Sequence, residues 1–153
     1  MPAPFPRRVT QITERAAASL PQTAAGNLFT ITGGKIILLG LVGQVTTVIQ
    51  TQANNTKIKF TSTTPGSTTD LCAVLDITAK AVGSLFSIVG VLATAMKVTT
   101  NNLIVPADNI PWPGLVLGPG TILLDCAASN TGAVKWTALW QPLDLRGYLV
   151  AAA

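Results

Sequence analysis

The stretch LLDCAASNTGAVKWTALWQPLD, residues 123–144, decides the fold class of this chain. Apolar or small residues alternate with polar ones on both sides of the central SNTG, which is typical of two strands that each bury one face. If residues 130–132 form a three-residue loop, the stretch predicts a β-hairpin with one apolar side. A register shift of one residue would bring Lys135 opposite Cys126, so packing specifies the register. Counting back from the loop pairs Cys126 with Trp136, Leu124 with Ala138 and Ile122 with Trp140.

A second hairpin is predicted by QVTTVIQTQANNTKIKFTST, residues 44–63. Asn54 and Asn55 would form its two-residue turn, which places Ile49 opposite Phe60 on the inner face. The two lysines of the KIKF segment then point outward. This hairpin extends the β pattern toward the middle of the chain.

The remaining β segments are separated by glycine, proline and asparagine. Residues 27–43 predict a strand, a turn at Gly33 and Gly34, and a strand over 36–42 that is covered on both faces. Gly40 and Gly43 would mark a bend or bulge in it. Two further segments complete the pattern: a strand is predicted over residues 71–78, and two short strands that meet near Gly90, or alternatively a helix over 84–97, are predicted downstream.

Residues 1–26 differ from the rest because they contain four prolines and lack strand alternation. A short helix within residues 9–20 fits this segment, and Pro21 would end it. We therefore expect an extended N-terminal arm over 1–26 and a β domain over 27–153. The predicted fold class is all-β, a single β-sandwich or jelly-roll-like domain with that arm.

Low charge indicates that much of the surface is covered by other protein chains. Charged residues make up 10% of the chain and hydrophobic residues 48%, against about 25% charged in an ordinary soluble domain. The uncharged stretches over 36–52 and 81–96 are too short or too polar for a membrane span, so no membrane is expected. Cys72 and Cys126 lie in apolar runs and are predicted to be buried free thiols of a protein made in a reducing cytoplasm.

Residue chemistry argues against an enzyme. The chain has no histidine, which excludes Ser-His-Asp triads, Cys-His dyads and histidine metal sites. The aspartates are scattered singly, and Gly33-Gly34-Lys35 lacks the other residues of a phosphate loop and fits a tight turn. We expect a protein without catalytic residues, metal, cofactor, small-molecule substrate or specific nucleic acid.

Four residues are candidate contacts with a partner protein. Arg7, Arg8 and Arg15 form a basic group near the N-terminus that suits acidic groups on a partner, although a solvated tail is the alternative. Trp112 lies between two prolines and is either a lid on the core or an anchor in a partner's pocket.

The whole pattern over residues 27–150 resembles small structural proteins of tailed-bacteriophage virions. Three segments carry the resemblance: LFTITGGKIILLGLVGQVTT at 28–47, TPGSTTDLCAVLDIT at 64–78 followed by VGSLFSIVG, and GPGTILLDCAASNTGAVKWTALWQPLDLRGYLVAAA at 118–153. The last of these is most similar to head decoration (cement) proteins.

This resemblance implies a non-enzymatic subunit that forms a homo-oligomer, often a trimer, and binds the major capsid protein on the virion surface. A tail-tube, tail-tip or head-tail connector protein is the alternative. A second alternative is a carbohydrate-binding fibre module, in which Trp112, Trp136 and Trp140 would be the sugar platforms. We expect a virion protein on the capsid surface, made in the host cytoplasm.

Overall fold

Two antiparallel sheets pack face to face in a computed structural model that describes residues 9–99 and 114–153. The regular structure in these residues is all β-strand, so the predicted all-β fold is confirmed, and two packed sheets form a β-sandwich. In chain order the strands of the described residues are β1 (Gln11–Ser19), β2 (Ala25–Thr32), β3 (Ile36–Thr47), β4 (Asn55–Ser62), β5 (Thr68–Asp70), β6 (Leu75–Asp76), β7 (Leu85–Ser87), β8 (Lys97–Thr99), β9 (Leu115–Leu117), β10 (Gly120–Cys126), β11 (Ala133–Pro142) and β12 (Tyr148–Ala151).

Each sheet is built around one or two long central strands. Sheet A has the order β1-β11-β3-β7-β8 with β9 beside β3, and sheet B has the order β12-β2-β10-β4-β5 with β6 beside β4. The inner faces of both sheets meet in one hydrophobic core. Phe29 and Ile122 from sheet B and Trp136 and Phe86 from sheet A are at most 2% exposed. Burial alternates strictly along β10, as the sequence pattern predicts.

The two predicted hairpins are wrong, although their buried faces are right. Strand β10 lies between β2 and β4 in sheet B, whereas β11 lies between β1 and β3 in sheet A. Cys126 therefore pairs with Thr56 on β4, and Trp136 pairs with Gly43 on β3. Strands β3 and β4 are likewise in different sheets. Residues 48–54 and 127–132 are thus corners that carry the chain from one sheet to the other.

Buried asparagines explain why these corners resemble hairpin turns in the sequence. Asn54 is 0% exposed and Asn130 is 1% exposed. The Nδ2 of Asn54 donates to the carbonyl of Ala128, and its Oδ1 accepts from the backbone N–H groups of Ala127 and Ala128. The Nδ2 of Asn130 donates to the carbonyl of Gln52 in the other corner. The asparagines therefore tie the two corners together at one end of the sandwich.

Three other expectations need correction. The helix predicted within residues 9–20 is wrong, because Gln11–Ser19 forms β1 and pairs with β11 in sheet A. The strand predicted over 71–78 shrinks to the two residues of β6, since the backbone N–H groups of Leu71 and Ala73 bond instead to Ile58 and Thr94. Two short strands are present as the antiparallel pair β7 and β8, but β7 ends at Ser87 and β8 begins at Lys97, so they do not meet near Gly90 as predicted. The alternative helix over 84–97 is absent.

Strands β1 and β12 meet where the edges of the two sheets approach each other. The indole N–H of Trp140 donates to Oγ1 of Thr13 at 2.9 Å, and this hydroxyl lies 3.4 Å from the carbonyl oxygen of Leu149 on β12. The ring of Trp140 also makes an edge-to-face contact with Tyr148, with centroids 5.8 Å apart. Thr13 therefore links sheet A to sheet B at this edge.

The predicted bulge lies at Gly40 but not at Gly43, which has a different role. The register with β11 shifts beside Gly40, where Leu39 has no partner, so a bulge lies there. Gly43 makes room for an aromatic ring, because a Cβ at this position would lie 2.8 Å from the six-membered ring of Trp136. That ring also stacks on Phe86 at a centroid distance of 6.4 Å and cannot move aside freely.

We expect Gly43→Ala to destabilise the protein by about 1–3 kcal/mol, the usual cost of overpacking a filled core. Gly118→Ala is the matched control, because a Cβ there would have no atom within 4 Å. Urea unfolding followed by tryptophan fluorescence measures both variants. Equal midpoints for the two variants would contradict the close packing of Trp136 on Gly43.

Candidate interaction surface

Charged side chains on the outer face of sheet B form ion pairs with one another. Lys57 binds Asp70 at 2.8 Å, and Lys59 binds Asp125 at 2.7 Å. The hydrogen bond from Lys57 to Asp70 raises the pKa of this lysine. The same face carries threonines, with hydroxyls such as that of Thr61 bonded across strands, and the apolar Leu123 and Val150 toward the β12 edge. A face whose charges are already paired across its strands is suited to contact with water.

The outer face of sheet A carries apolar residues on four strands. Ile12 on β1 pairs with Leu139 on β11, which in turn pairs with Gly40 on β3. Ile37 on β3 pairs with Val116 on β9. We call these five residues the apolar band. Ile12 is 67% exposed, Val116 52% and Leu139 38%, so these three residues present apolar side chains to the surroundings, whereas Ile37 is 3% exposed.

Few charges lie around the apolar band. Lys35 and Asp144 form an exposed ion pair at 3.1 Å at the start of β3, two residues before Ile37. At the other end, Glu14 and Lys135 form an ion pair at 3.2 Å, and they lie one and two rows along the strands from Ile12 and Leu139. Thr137 and Val42 continue the same face across β11 and β3. This asymmetry between the outer faces of the two sheets marks sheet A as the better surface for another protein, because charge depletion is typical of interface cores.

Of the four predicted contact residues, the structure describes one. Arg7, Arg8 and Trp112 lie outside the described residues. Arg15 is on β1 opposite Trp136, whose side chain is buried on the inner side of sheet A. Cross-strand partners share a face, so the Arg15 side chain points toward the sandwich interior. The contact between Arg15 and a partner protein stays a prediction.

The thiols of Cys72 and Cys126 are buried, free and unreactive. Cys72 and Cys126 are both unbonded to another cysteine, as predicted. Burial raises the pKa of each thiol, which keeps it protonated at neutral pH. Cys72 accepts a hydrogen bond from the backbone N–H of Ile58, and Cys126 accepts one from the hydroxyl of Thr56. Neither has a base beside it that would generate a thiolate.

The carboxylates with lowered pKa values hold turns. Hydrogen bonds from Thr78 and from the backbone of Asn54 lower the pKa of Asp76. Hydrogen bonds from the backbone N–H and the ammonium group of Lys35 lower the pKa of Asp144. The Gly33-Gly34-Lys35 turn therefore directs its Lys35 N–H at a carboxylate of the same chain, 2.8 Å away, and this fits the predicted tight turn. In residues 9–99 and 114–153 no cluster of three potential metal ligands exists.

Two of the three tryptophans are core residues. Trp136 is 2% exposed and Trp140 is 3% exposed. A sugar platform needs an open aromatic face, which neither ring has in this fold.

In the described part of the chain, no helix has the length and apolar character of a membrane span.

Comparison of the chain with protein-family models, with curated proteins and with solved structures finds no match. The surface properties and the sequence pattern are therefore the basis for a functional proposal.

Proposed function

We propose that this protein is a non-enzymatic structural subunit that attaches to an assembled protein shell through the outer face of sheet A, as a capsid decoration (cement) protein of a tailed bacteriophage. The observation that carries the proposal is the contrast between the apolar band on sheet A and the internally paired charges on sheet B. The resemblance of residues 27–150 to virion proteins directs the choice of partner toward the major capsid protein.

The apolar band is suited to contact with another protein. Burial of apolar surface contributes about 25 cal/mol per Å², and Ile12, Val116 and Leu139 are the exposed side chains from which this gain would come. A subunit with 10% charged residues gains solubility when such a face is covered. Self-association into a trimer and attachment to the capsid both place apolar surface against protein.

Attachment of this kind stabilises a shell by mass action. A protein that binds the assembled shell and not its separated parts lowers the free energy of the assembled state by RT ln(1 + [L]/Kd) at each site. Repetition over the many equivalent sites of a shell makes the total large even when each contact is weak. No catalytic group is needed for this function.

We expect the double substitution Ile12→Glu and Leu139→Glu to weaken attachment to purified undecorated shells by at least about tenfold, since two carboxylates would be desolvated against apolar surface. Cosedimentation with the shells measures the affinity, and native mass spectrometry measures the oligomeric state. Leu145→Glu is the control, because Leu145 is 92% exposed on the β11–β12 turn and does not belong to the apolar band.

The result distinguishes this function from its alternatives. Attachment of wild-type protein to shells with the control unchanged and the double variant weakened supports decoration by sheet A. Failure of the wild-type protein to bind shells, together with its recovery in isolated tails, would favour the tail-tube, tail-tip or connector function.

A further inference from the structure

Arg15 occupies an unusual place for a charged residue, the inner side of an edge strand. Its partner across β11 is Trp136, and the register of β1 shifts between Arg15 and Ala18. The bulge interrupts the regular pairing of β1 with β11 and changes the direction of the side chains next to it. An inward charge on a bulged edge strand also discourages pairing of this edge with another strand.

A small cavity lies beside the Arg15 side chain. Its volume is about 20 Å³, which is space for about one oxygen-sized atom, and it opens partly to the surface. Six of the residues that line it are Arg15, Ser19, Leu20, Asn27, Leu124 and Trp136. The cavity therefore lies between the end of β1, the start of β2 and the middle of β10.

The guanidinium group at this cavity has unused hydrogen-bonding capacity. The Nε of Arg15 is buried and has no hydrogen-bond partner. The ion pairs within the described residues join Lys35, Lys57, Lys59 and Lys135 to acids, and none of them includes Arg15. A buried N–H donor without a partner costs free energy that an incoming acceptor would recover.

We propose that the cavity at Arg15 is a receptor site for a carboxylate, supplied by an aspartate or glutamate side chain of the protein to which this subunit attaches. One carboxylate oxygen accepts from Nε inside the cavity, and the other accepts from an Nη at its mouth. The planar guanidinium presents these donors as a fork that matches a carboxylate. The small volume of the cavity favours a carboxylate over the larger phosphate group. The choice of a protein carboxylate rests on the proposed function.

The site is tested first on the isolated full-length protein with sodium acetate as the probe. The Nε–H resonance of Arg15 is identified in ¹H–¹⁵N spectra by its loss in Arg15→Lys. At constant ionic strength we expect acetate to shift this resonance saturably, while the Nε–H of the exposed Arg146 shifts little and without saturation. An Arg15 resonance that does not respond, or that responds as Arg146 does, would mean that the cavity holds water only and would overturn the proposal. An equally tight response to sodium phosphate would overturn the assignment to a carboxylate.

The source of the carboxylate is tested by attachment to shells. We expect Arg15→Lys to bind shells about tenfold more weakly than the wild type, since lysine lacks the planar fork. Arg146→Lys is the matched control, and circular dichroism confirms that both variants are folded. Unweakened attachment of Arg15→Lys would overturn the partner assignment even if acetate binds. Failure of the wild type to attach would instead count against the proposed function, whereas the acetate titration tests the cavity alone.

Discussion

Asn54→Ala is expected to lower the stability of this protein by about 3 kcal/mol, because it removes the side chain that ties the two sheet-to-sheet corners together. Without the amide, the N–H and carbonyl groups of Ala128 lose their side-chain partner. The residue is also 0% exposed, so its truncation leaves a space in a filled corner. For a chain of this length, we expect the melting temperature to fall by roughly 10 °C.

The neighbouring Asn55 provides the matched control for this substitution. Asn55 is exposed, and its contribution to the other corner is its backbone carbonyl, which accepts from the N–H of Ala127 and is retained in Asn55→Ala. We expect this variant to unfold within about 0.5 kcal/mol of the wild type, as is usual for surface substitutions. Differential scanning calorimetry measures both. If the two substitutions destabilise the protein equally, Asn54 does not hold the corners as its hydrogen bonds indicate.

The same two asparagine segments show how far sequence reasoning reaches for this fold. Alternation along residues 120–126 and 133–140 gives the buried face of each strand correctly, because burial has a period of two whatever the strand's neighbours are. It carries no information on whether two inward faces lie side by side in one sheet or opposite each other across a core. A corner in which a buried asparagine holds the backbone contains the same residue types as a hairpin turn. The pairing of strands therefore had to come from the structure.

The sequence pattern did not predict strand β1, and the reason is different. Its alternation covers only residues 11–15 before the bulge, and the alanines that follow favour a helix in isolation. Pairing with β11 overrides that local preference, as tertiary context often does. The apolar band was missed as a consequence, because Ile12 joins Leu139 only once β1 is placed at the edge of sheet A. The inward direction of Arg15 follows from the same register and has no signal in the sequence.

Deletion of residues 2–19 is therefore expected to abolish cooperative unfolding. If these residues formed a detached arm, their deletion would leave the unfolding of the β domain unchanged. The deletion removes β1, so the backbone groups of β11 that pair with it lose their partners along one whole edge. It also removes Thr13, the acceptor for the indole N–H of the buried Trp140 and the link to Leu149. The loss is comparable with the total stability of a domain, about 5–15 kcal/mol. Guanidinium unfolding followed by near-ultraviolet circular dichroism measures the effect.

A pair of point substitutions separates the contribution of Thr13 from the loss of the strand. Thr13→Val keeps the shape of the side chain but leaves the indole N–H of Trp140 without its acceptor, which we expect to cost about 1–3 kcal/mol. Thr10→Val removes a comparable hydrogen bond, from Nε2 of Gln141 to Oγ1 of Thr10, at an exposed position where water replaces the lost partner. We expect that control to stay within about 0.5 kcal/mol of the wild type. A deletion variant that unfolds as cooperatively as the full chain would show that β1 is dispensable, and the sandwich would then end at β11.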